Sequence, residues 1–241
     1  MKRQKYMPGD KNYQIIFEDE DILVVDKPSG LRTIPDGYQP LLACLAKQLL
    51  DDYGQVFVVH RLDKETSGVI LFARNAEAHR DLNLQFENRL VTKTYHAICT
   101  GFPQWQSITA NFPLKVNGDR RHRTIIDYQN GKPAATEFMV LSSNREFHLI
   151  EIHPNNGYTH IVRTHAAALA IPLLSDPLYH HPSVPESIQV RLEIIPRVAL
   201  HAYQLEFAHP STKEEVRFYV DYPADFARAC ELTGLQKKTG A

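Results

Sequence analysis

Residues 60–71 read His-Arg-Leu-Asp-Lys-Glu-Thr-Ser-Gly-Val-Ile-Leu. Four charges, at Arg61, Asp63, Lys64 and Glu65, sit between the apolar runs Val-Phe-Val-Val at 56–59 and Val-Ile-Leu-Phe-Ala at 69–73. Loops between strands carry such residues for solubility alone. A carboxylate offered between two buried strands can also serve as a nucleophile or a base. Asp63 is therefore either a solvated loop residue or the group that does the chemistry. Other reaction classes find less support. The chain has twelve histidines, but His160 and His165 are five apart, whereas helix-borne zinc ligands favour i and i+4. No His-Glu-x-x-His and no Cys-x-x-Cys occurs, so no metal is expected. No Gly-x-Ser-x-Gly elbow is present, and Ser67 reads as a turn residue. Neither common glycine-rich phosphate loop appears.

The whole chain must supply the frame for that loop. At 241 residues it can bury a sizeable core. Hydrophobic residues at 43% and charged residues at 23% are ordinary for a globular domain. The net charge of −1 gives no global attraction to nucleic acid, so such binding must come from a local basic surface. Cys44, Cys99 and Cys230 are few, odd in number and far apart. That suits a reducing compartment rather than disulfides or a zinc cluster, and a cytoplasmic location is expected. No run approaches the ~18 apolar residues of a membrane span. The N-terminus has basic residues with no apolar stretch behind them, unlike a signal peptide.

Short β-type runs recur at 15–17, 22–25, 56–59, 69–73, 94–99, 137–141, 147–152, 198–207 and 216–222. Several alternate apolar and polar residues, as half-buried antiparallel strands do. Helical patterns are fewer, at 41–52, at 76–89 with Ala78, Leu82 and Phe86 on one stripe, and at 159–169. Strands grouped with scattered helices imply an α+β fold. One continuous domain over 13–222 is expected, with a loose polar segment at 1–12 and a tail or short helix over 223–241.

The segment HRLDKETSGVILFAR at 60–74 resembles the HRLDxxTSG motif of the RluA-type pseudouridine synthases. Five further matches follow in the family's order along the chain. They are KPSGL at 27–31, KTYHAICTG at 93–101, GKPAATEFMVL at 131–141, the block GYTHIVRTHAAALAIPLLSDPLY at 157–179, and RVALHA at 197–202. A single six-residue match would say little, but six in order over roughly 14–222 say much more.

The resemblance implies a long, mostly antiparallel mixed sheet in two halves, with the active cleft across its middle. It implies isomerisation of uridine to pseudouridine in ribosomal or transfer RNA by a monomer, with base flipping and no cofactor. That reaction breaks the C1′–N1 bond, turns the base and joins C5 to C1′. By the same resemblance Asp63 is the catalytic aspartate, and Arg163 is the arginine that pairs with it and favours its charged form. Tyr95 stacks on the target base with its hydroxyl as a proton relay, and Val162 packs against the uracil. Arg61 contacts the RNA or fills the flipped base's place, and His60 joins it at the substrate site. Taken singly, Tyr95 and Val162 could be core residues and Arg163 a surface arginine on a helix.

RNA contact should come from Lys115, Arg120, Arg121, His122 and Arg123, the densest basic stretch, and from Arg74, Arg80, Arg89 and Lys93. Two departures stand out. Tyr158 and Ile161 replace the family's usual arginine and glutamine, and Ser175 stands where glycine is usual, a change that could alter a turn. A relative that binds RNA without turnover is the alternative reading, and the joint presence of Asp63, Tyr95 and Arg163 argues against it.

Overall fold

The computed structural model describes residues 13–236. The segments 1–12 and 237–241 lie outside the described residues. The chain runs β1 (Gln14–Glu18), β2 (Ile22–Lys27), α1 (Leu45–Tyr53), β3 (Phe57–Val58), β4 (Ser67–Ala73), α2 (Ala76–Glu87) and β5 (Thr92–Thr100). It continues through β6 (Ser107–Ala110), β7 (Leu114–Lys115), β8 (Ile125–Ile126), β9 (Thr136–Ser143) and β10 (Phe147–Pro154). The last elements are α3 (Ile161–Ala168), α4 (Glu186–Gln189), β11 (Leu200–Ala208), β12 (Glu215–Tyr219) and α5 (Ala224–Leu232).

Ten strands form one mixed sheet in the order β1-β2-β4-β11-β5-β10-β9-β6, with β3 on β4 and β12 on β11. All its pairings are antiparallel except β4 with β11, which are parallel through Ser67–His201 and Gly68–Ala202. That parallel seam joins the two halves. Each half has its own apolar cluster, one around Val24, Ile70 and Phe72 and another around Phe138, Ile150 and Val162. β4 is buried at every residue, which fits its near-continuous apolar run in the middle of the sheet.

Gly68 makes the seam possible. Its φ is +112°, and a Cβ there would lie 2.1 Å from the Ala202 carbonyl oxygen. Ser67 and Gly68 therefore belong to the strand, where only glycine admits so close a backbone approach. The turn lies one step earlier, closed by the Thr66 amide donating to the Asp63 carbonyl at 3.1 Å. A register shift in β11 between Ala202 and Gln204, opposite Tyr95 and Thr94, marks a bulge beside the same region.

α2 packs against β3 and β4, and α3 against β9 and β10. α2 starts on Asn75, whose side chain accepts from the Ala78 amide at 2.8 Å, a standard N-cap. It buries Ala78, Leu82 and Gln85, and Gln85 bonds both backbone groups of Ala208 at 2.7 and 3.0 Å. Phe86, expected on the buried stripe, is half-buried and packs on the ring of His60 at 4.8 Å.

Candidate active site

The seam opens into a cleft of about 250 Å³. The loop from β3 to β4 brings in His60, Arg61 and Asp63, β5 contributes Lys93 and Tyr95, and the start of α3 contributes His160, Val162 and Arg163. Three segments far apart in sequence thus meet where the sheet's two halves join. Asp63 is the only carboxylate among the residues that wall it.

The backbone of the Asp63 loop is pinned from below. The Leu62 amide donates to Thr33 Oγ1 at 3.1 Å, and Thr33 Oγ1 donates to the Leu62 carbonyl at 2.9 Å. The Lys64 carbonyl accepts from the Gly30 amide at 2.8 Å and from Lys27 Nζ at 3.3 Å. Ser29 and Arg197 both donate to the Glu65 carbonyl, at 2.8 and 3.2 Å. Lys27 is fully buried, and desolvation depresses its pKa to about 7. Arg197 is clamped in turn by Asp225 of α5 at 2.6 and 2.9 Å. Such bonds fix a side chain's position better than a free loop would.

Asp63 Oδ2 lies 3.6 Å from His160 Nε2 and 4.0 Å from Arg163 Nη1. Arg163 meets Asp63 at the edge of salt-bridge range, while its shorter contacts lie elsewhere. The bidentate partner of Arg163 is Asp176, through Nε and Nη2, both at 2.7 Å and both buried. Asp63 receives the outward-facing nitrogen at longer range. Asp176 also accepts from the amides of Leu178 and Tyr179, at 2.9 and 3.2 Å. The guanidinium lies over the Tyr179 ring, 4.9 Å from its centre. Burial opposes the charge on Arg163, but the Asp176 carboxylate outweighs it and holds the guanidinium above its ordinary pKa. Asp176 is thus a counter-ion that aims Arg163 at Asp63.

Ser175, beside that counter-ion, has a φ of +58°, the left-handed conformation that glycine adopts freely. The turn is kept despite the side chain, and Ser175 Oγ accepts from the Arg191 amide at 3.3 Å.

His160 is also left-handed, with φ +58° at the start of α3. Its Nδ1 meets the Tyr179 hydroxyl at 2.9 Å, and that hydroxyl accepts from the Thr124 amide at 2.9 Å. With the hydroxyl donating to Nδ1, the neutral ring carries its proton on Nε2, facing Asp63. Burial holds its pKa below the ordinary value, against the pull of Asp63. Burial first, and the Asp63 charge second, push the Tyr95 phenol well above its usual range. Tyr95 therefore keeps its proton at neutral pH and is no ready-made base.

The remaining expected residues divide into two groups. Val162 is 5% exposed and faces the cleft, while Arg61 is exposed at its rim. His60 lines the wall, but its Nε2 accepts from the Leu71 amide at 3.0 Å, and burial lowers its pKa to about 3. Arg120, Arg121 and Arg123 lie outside the cleft, on the hairpin between β7 and β8. Arg120 and Arg121 are exposed there. Arg123 is held by Asp119 at 2.7 Å and by the Leu178 carbonyl at 2.9 Å. Of the four basic residues around 74–93, only Lys93 reaches the cleft.

Sequence reading missed Asp176, His160 and Tyr179 as parts of the site. The Ser-Asp-Pro turn after α3 was visible, but nothing in its spacing says that its carboxylate folds back on Arg163. As for metals, His165 is engaged by Thr136 and by the Phe112 carbonyl, at 2.9 and 3.0 Å. Asp19, Asp21 and His209 have ligand atoms within 4.8 Å of one another, but none of them lines these walls. Their oxygens already accept from the Asp21 and Ile22 amides, Asn75, Ser211 and His209.

Residues 21–168 match the family described as RNA pseudouridylate synthase. The chain belongs to that family. It is 34% identical over 228 residues to the dual-specificity RNA pseudouridine synthase RluA of Salmonella typhi, covering 94% of this chain and 100% of that one. It is 36% identical over 224 residues to YhcT of Bacillus subtilis, described as an uncharacterized RNA pseudouridine synthase, covering 90% of this chain and 70% of that one. The human RNA pseudouridylate synthase domain containing 1 superposes with a TM-score of 0.72 at 29% identity, over 90% of this chain and 87% of that one. Its domain-containing-4 counterpart gives 0.74 at 24% identity, over 92% and 93%, which speaks for the fold alone. The α+β fold and the RNA pseudouridine synthase activity read from the sequence stand. The synthase is an isomerase that acts on RNA, and none of its described helices is long and apolar enough to cross a membrane.

Proposed function

We propose that this synthase converts uridines in ribosomal or transfer RNA to pseudouridine, with Asp63 as the catalytic group, acting as a cytoplasmic monomer. The observation that carries the assignment is the lone carboxylate of the cleft, 4.0 Å from a guanidinium that a second, buried carboxylate holds in place. RluA, the relative matched over its full length, is named for dual specificity, which favours ribosomal and transfer RNA as the substrate class.

In this reading the target uridine leaves its stack and enters between Tyr95 and Val162. Extruding a base costs a few kcal/mol, least where it is already unpaired. Asp63 then gives its electron pair, either to the sugar or base carbon or to a sugar proton, and the C1′–N1 bond breaks. The uracil turns within the cleft and C5 joins C1′. The proton displaced from C5 must leave. Because the Tyr95 phenol keeps its own proton, it can relay this one only by passing its own onward at the same time. The Asp63 carboxylate, free again once C5 has joined C1′, is the base of the cleft that can take it, and N1 of the product gains a proton in exchange. Arg163, held in place by Asp176, offsets the aspartate's charge as a preorganised cation. Arg61 at the rim and Arg120, Arg121 and Arg123 on the hairpin supply phosphate contacts that position the strand. The step is redox-neutral and needs no metal or nucleotide.

The test is incubation of the purified protein with ribosomal and transfer RNA transcripts, followed by pseudouridine sequencing. New pseudouridines at discrete positions support the proposal. RNA that binds yet acquires none would leave the alternative, an RNA-binding relative without turnover.

A further inference from the structure

Among the described residues, Lys93 is a cation without a counter-ion. It lies half-buried on β5, two residues before Tyr95, and its side chain helps wall the cleft. Among the described residues no carboxylate lies within ion-pair distance of its ammonium. Its hydrogen bond is to the Asn156 carbonyl, long at 3.3 Å. Asn156 is itself fixed, since its Oδ1 accepts from the Ala135 amide at 3.1 Å. A buried ammonium ordinarily costs free energy unless it is paired. Every other buried cation described near the site is satisfied. Arg163 has Asp176, Arg197 has Asp225, and Lys27 has two carbonyls at 2.8 Å. Lys93 has two of its three donors left and open space beside it.

We propose that Lys93 is a phosphate-binding residue, whose ammonium takes one phosphate of the nucleotide held between Tyr95 and Asp63. The inference rests on the reading of the cleft as the uridine site. Residues i and i+2 of a strand share a face about 7 Å apart. That separation is on the scale of the distance from a base to its own phosphate. With the base against Tyr95 and the sugar at Asp63, the phosphate falls at Lys93. The site is then selective for a nucleotide within a strand over a free nucleoside, and the anion supplies the counter-charge that the protein omits.

The environment gives the proposal a signature. Burial depresses the Lys93 pKa to about 8. His60, which Lys93 itself helps keep neutral, and Asp63 line the same cleft from the loop before β4. Its neighbours across β10 and β11 are Pro154 and Leu205, and His153 lies on the opposite face of the sheet. A phosphate closing on the ammonium raises its pKa above 8. Binding therefore favours the protonated form, is complete in this respect below pH 8, and weakens as pH rises beyond it. Between pH 7 and pH 9 the loss is about tenfold.

The experiment measures affinity for an RNA stem-loop with uridines in its loop, across pH 7 to 9 and across a salt series. Wild type, Lys93→Arg and Lys93→Met are compared, with melting curves for each. The arginine variant should keep tight binding but lose the pH dependence, because its guanidinium does not titrate there. The methionine variant should bind more weakly and show a salt slope smaller by about one. Contributions of other groups, His153 included, persist in both variants and so cancel. An arginine variant whose affinity falls with pH as wild type does, or an unchanged salt slope in the methionine variant, would overturn the proposal and make Lys93 a strut for Asn156. Pseudouridine formation by wild type is scored separately. Its absence counts against the catalytic reading, while the binding slopes decide Lys93 alone.

Discussion

Replacing Arg163 with methionine should damage two properties at once, and stability is the more telling. An arginine that served Asp63 alone could be removed with the fold intact, since Asp63 is partly exposed at 21%. The arginine in place also makes two 2.7 Å bonds to Asp176, whose side chain has no exposure. Methionine fills much of the space but leaves that carboxylate buried opposite a thioether. Removing one partner of a buried ion pair costs about 3–5 kcal/mol. For a chain of this length 1 kcal/mol shifts Tm by about 2–4 °C, so a fall of roughly 6–20 °C is expected. Arg163→Lys should lie between, since it keeps the charge but not the two-pronged geometry. A second change separates the roles. Arg163→Met combined with Asp176→Leu removes both charges, which is often neutral for stability, so Tm should recover substantially while turnover stays lost. Thermal melting by circular dichroism and a pseudouridine assay on the four proteins provide the comparison. A single methionine variant that melts within a degree or two of wild type would refute the account of Asp176 as the counter-ion.

Three further outcomes are expected. Gly68→Ala places a methyl 2.1 Å from the Ala202 carbonyl at a φ of +112°, so it should destabilise by about 4 kcal/mol or more and express poorly; an alanine variant with normal yield and Tm would contradict the seam geometry. Glu151 is held at a pKa of about 2 by hydrogen bonds from His153 and then His96, below its ordinary value of 4.5, and a depressed carboxylate stabilises the fold above its unfolded pKa. Stability should therefore drain away as pH falls from about 4.5 toward 2, and Glu151→Gln should flatten that part of a urea-denaturation series. Activity on an unstructured RNA should survive EDTA and need no added nucleotide; loss in chelator with recovery on adding zinc would overturn the cofactor-free reading.

The parts of this synthase that were legible in the sequence are those where local pattern and chemistry coincide. Asp63 stood out because charges between two apolar runs are conspicuous, and the run after it became the buried β4. The helices over 76–89 and 159–169 appeared within two residues of their observed ends, as α2 and α3. The first helix begins at Leu45 rather than 41, because the preceding segment stays outside it, with Leu41 90% exposed. Short strands such as β6 to β8 carry too few residues to show a period. Ser67 reads as a turn residue because the glycine beside it commonly marks a turn; the real constraint, on Gly68, is a carbonyl from residue 202, which no local pattern reveals. The Asp176 clamp was hidden for the same reason, since a carboxylate thirteen residues from its arginine leaves no periodic trace. Arg120, Arg121 and Arg123 were legible as a basic run, but only the fold shows that Arg123 is tied to Asp119 and Leu178.

The central claim is that the Asp63 carboxylate performs the isomerisation, and one substitution tests it most directly. Asparagine is nearly isosteric with aspartate and a far poorer nucleophile or base. Asp63→Asn should abolish pseudouridine formation, with RNA affinity close to wild type because phosphate contacts dominate binding. Lys64→Gln and Glu65→Gln, in the same loop and with side chains 48% and 41% exposed, should turn over nearly normally. The measurement is pseudouridine yield by sequencing or tritium release on the same RNA for all three variants. If Asp63→Asn turned over at the wild-type rate, Asp63 would be a solvated loop residue and the catalytic account of the cleft would fail.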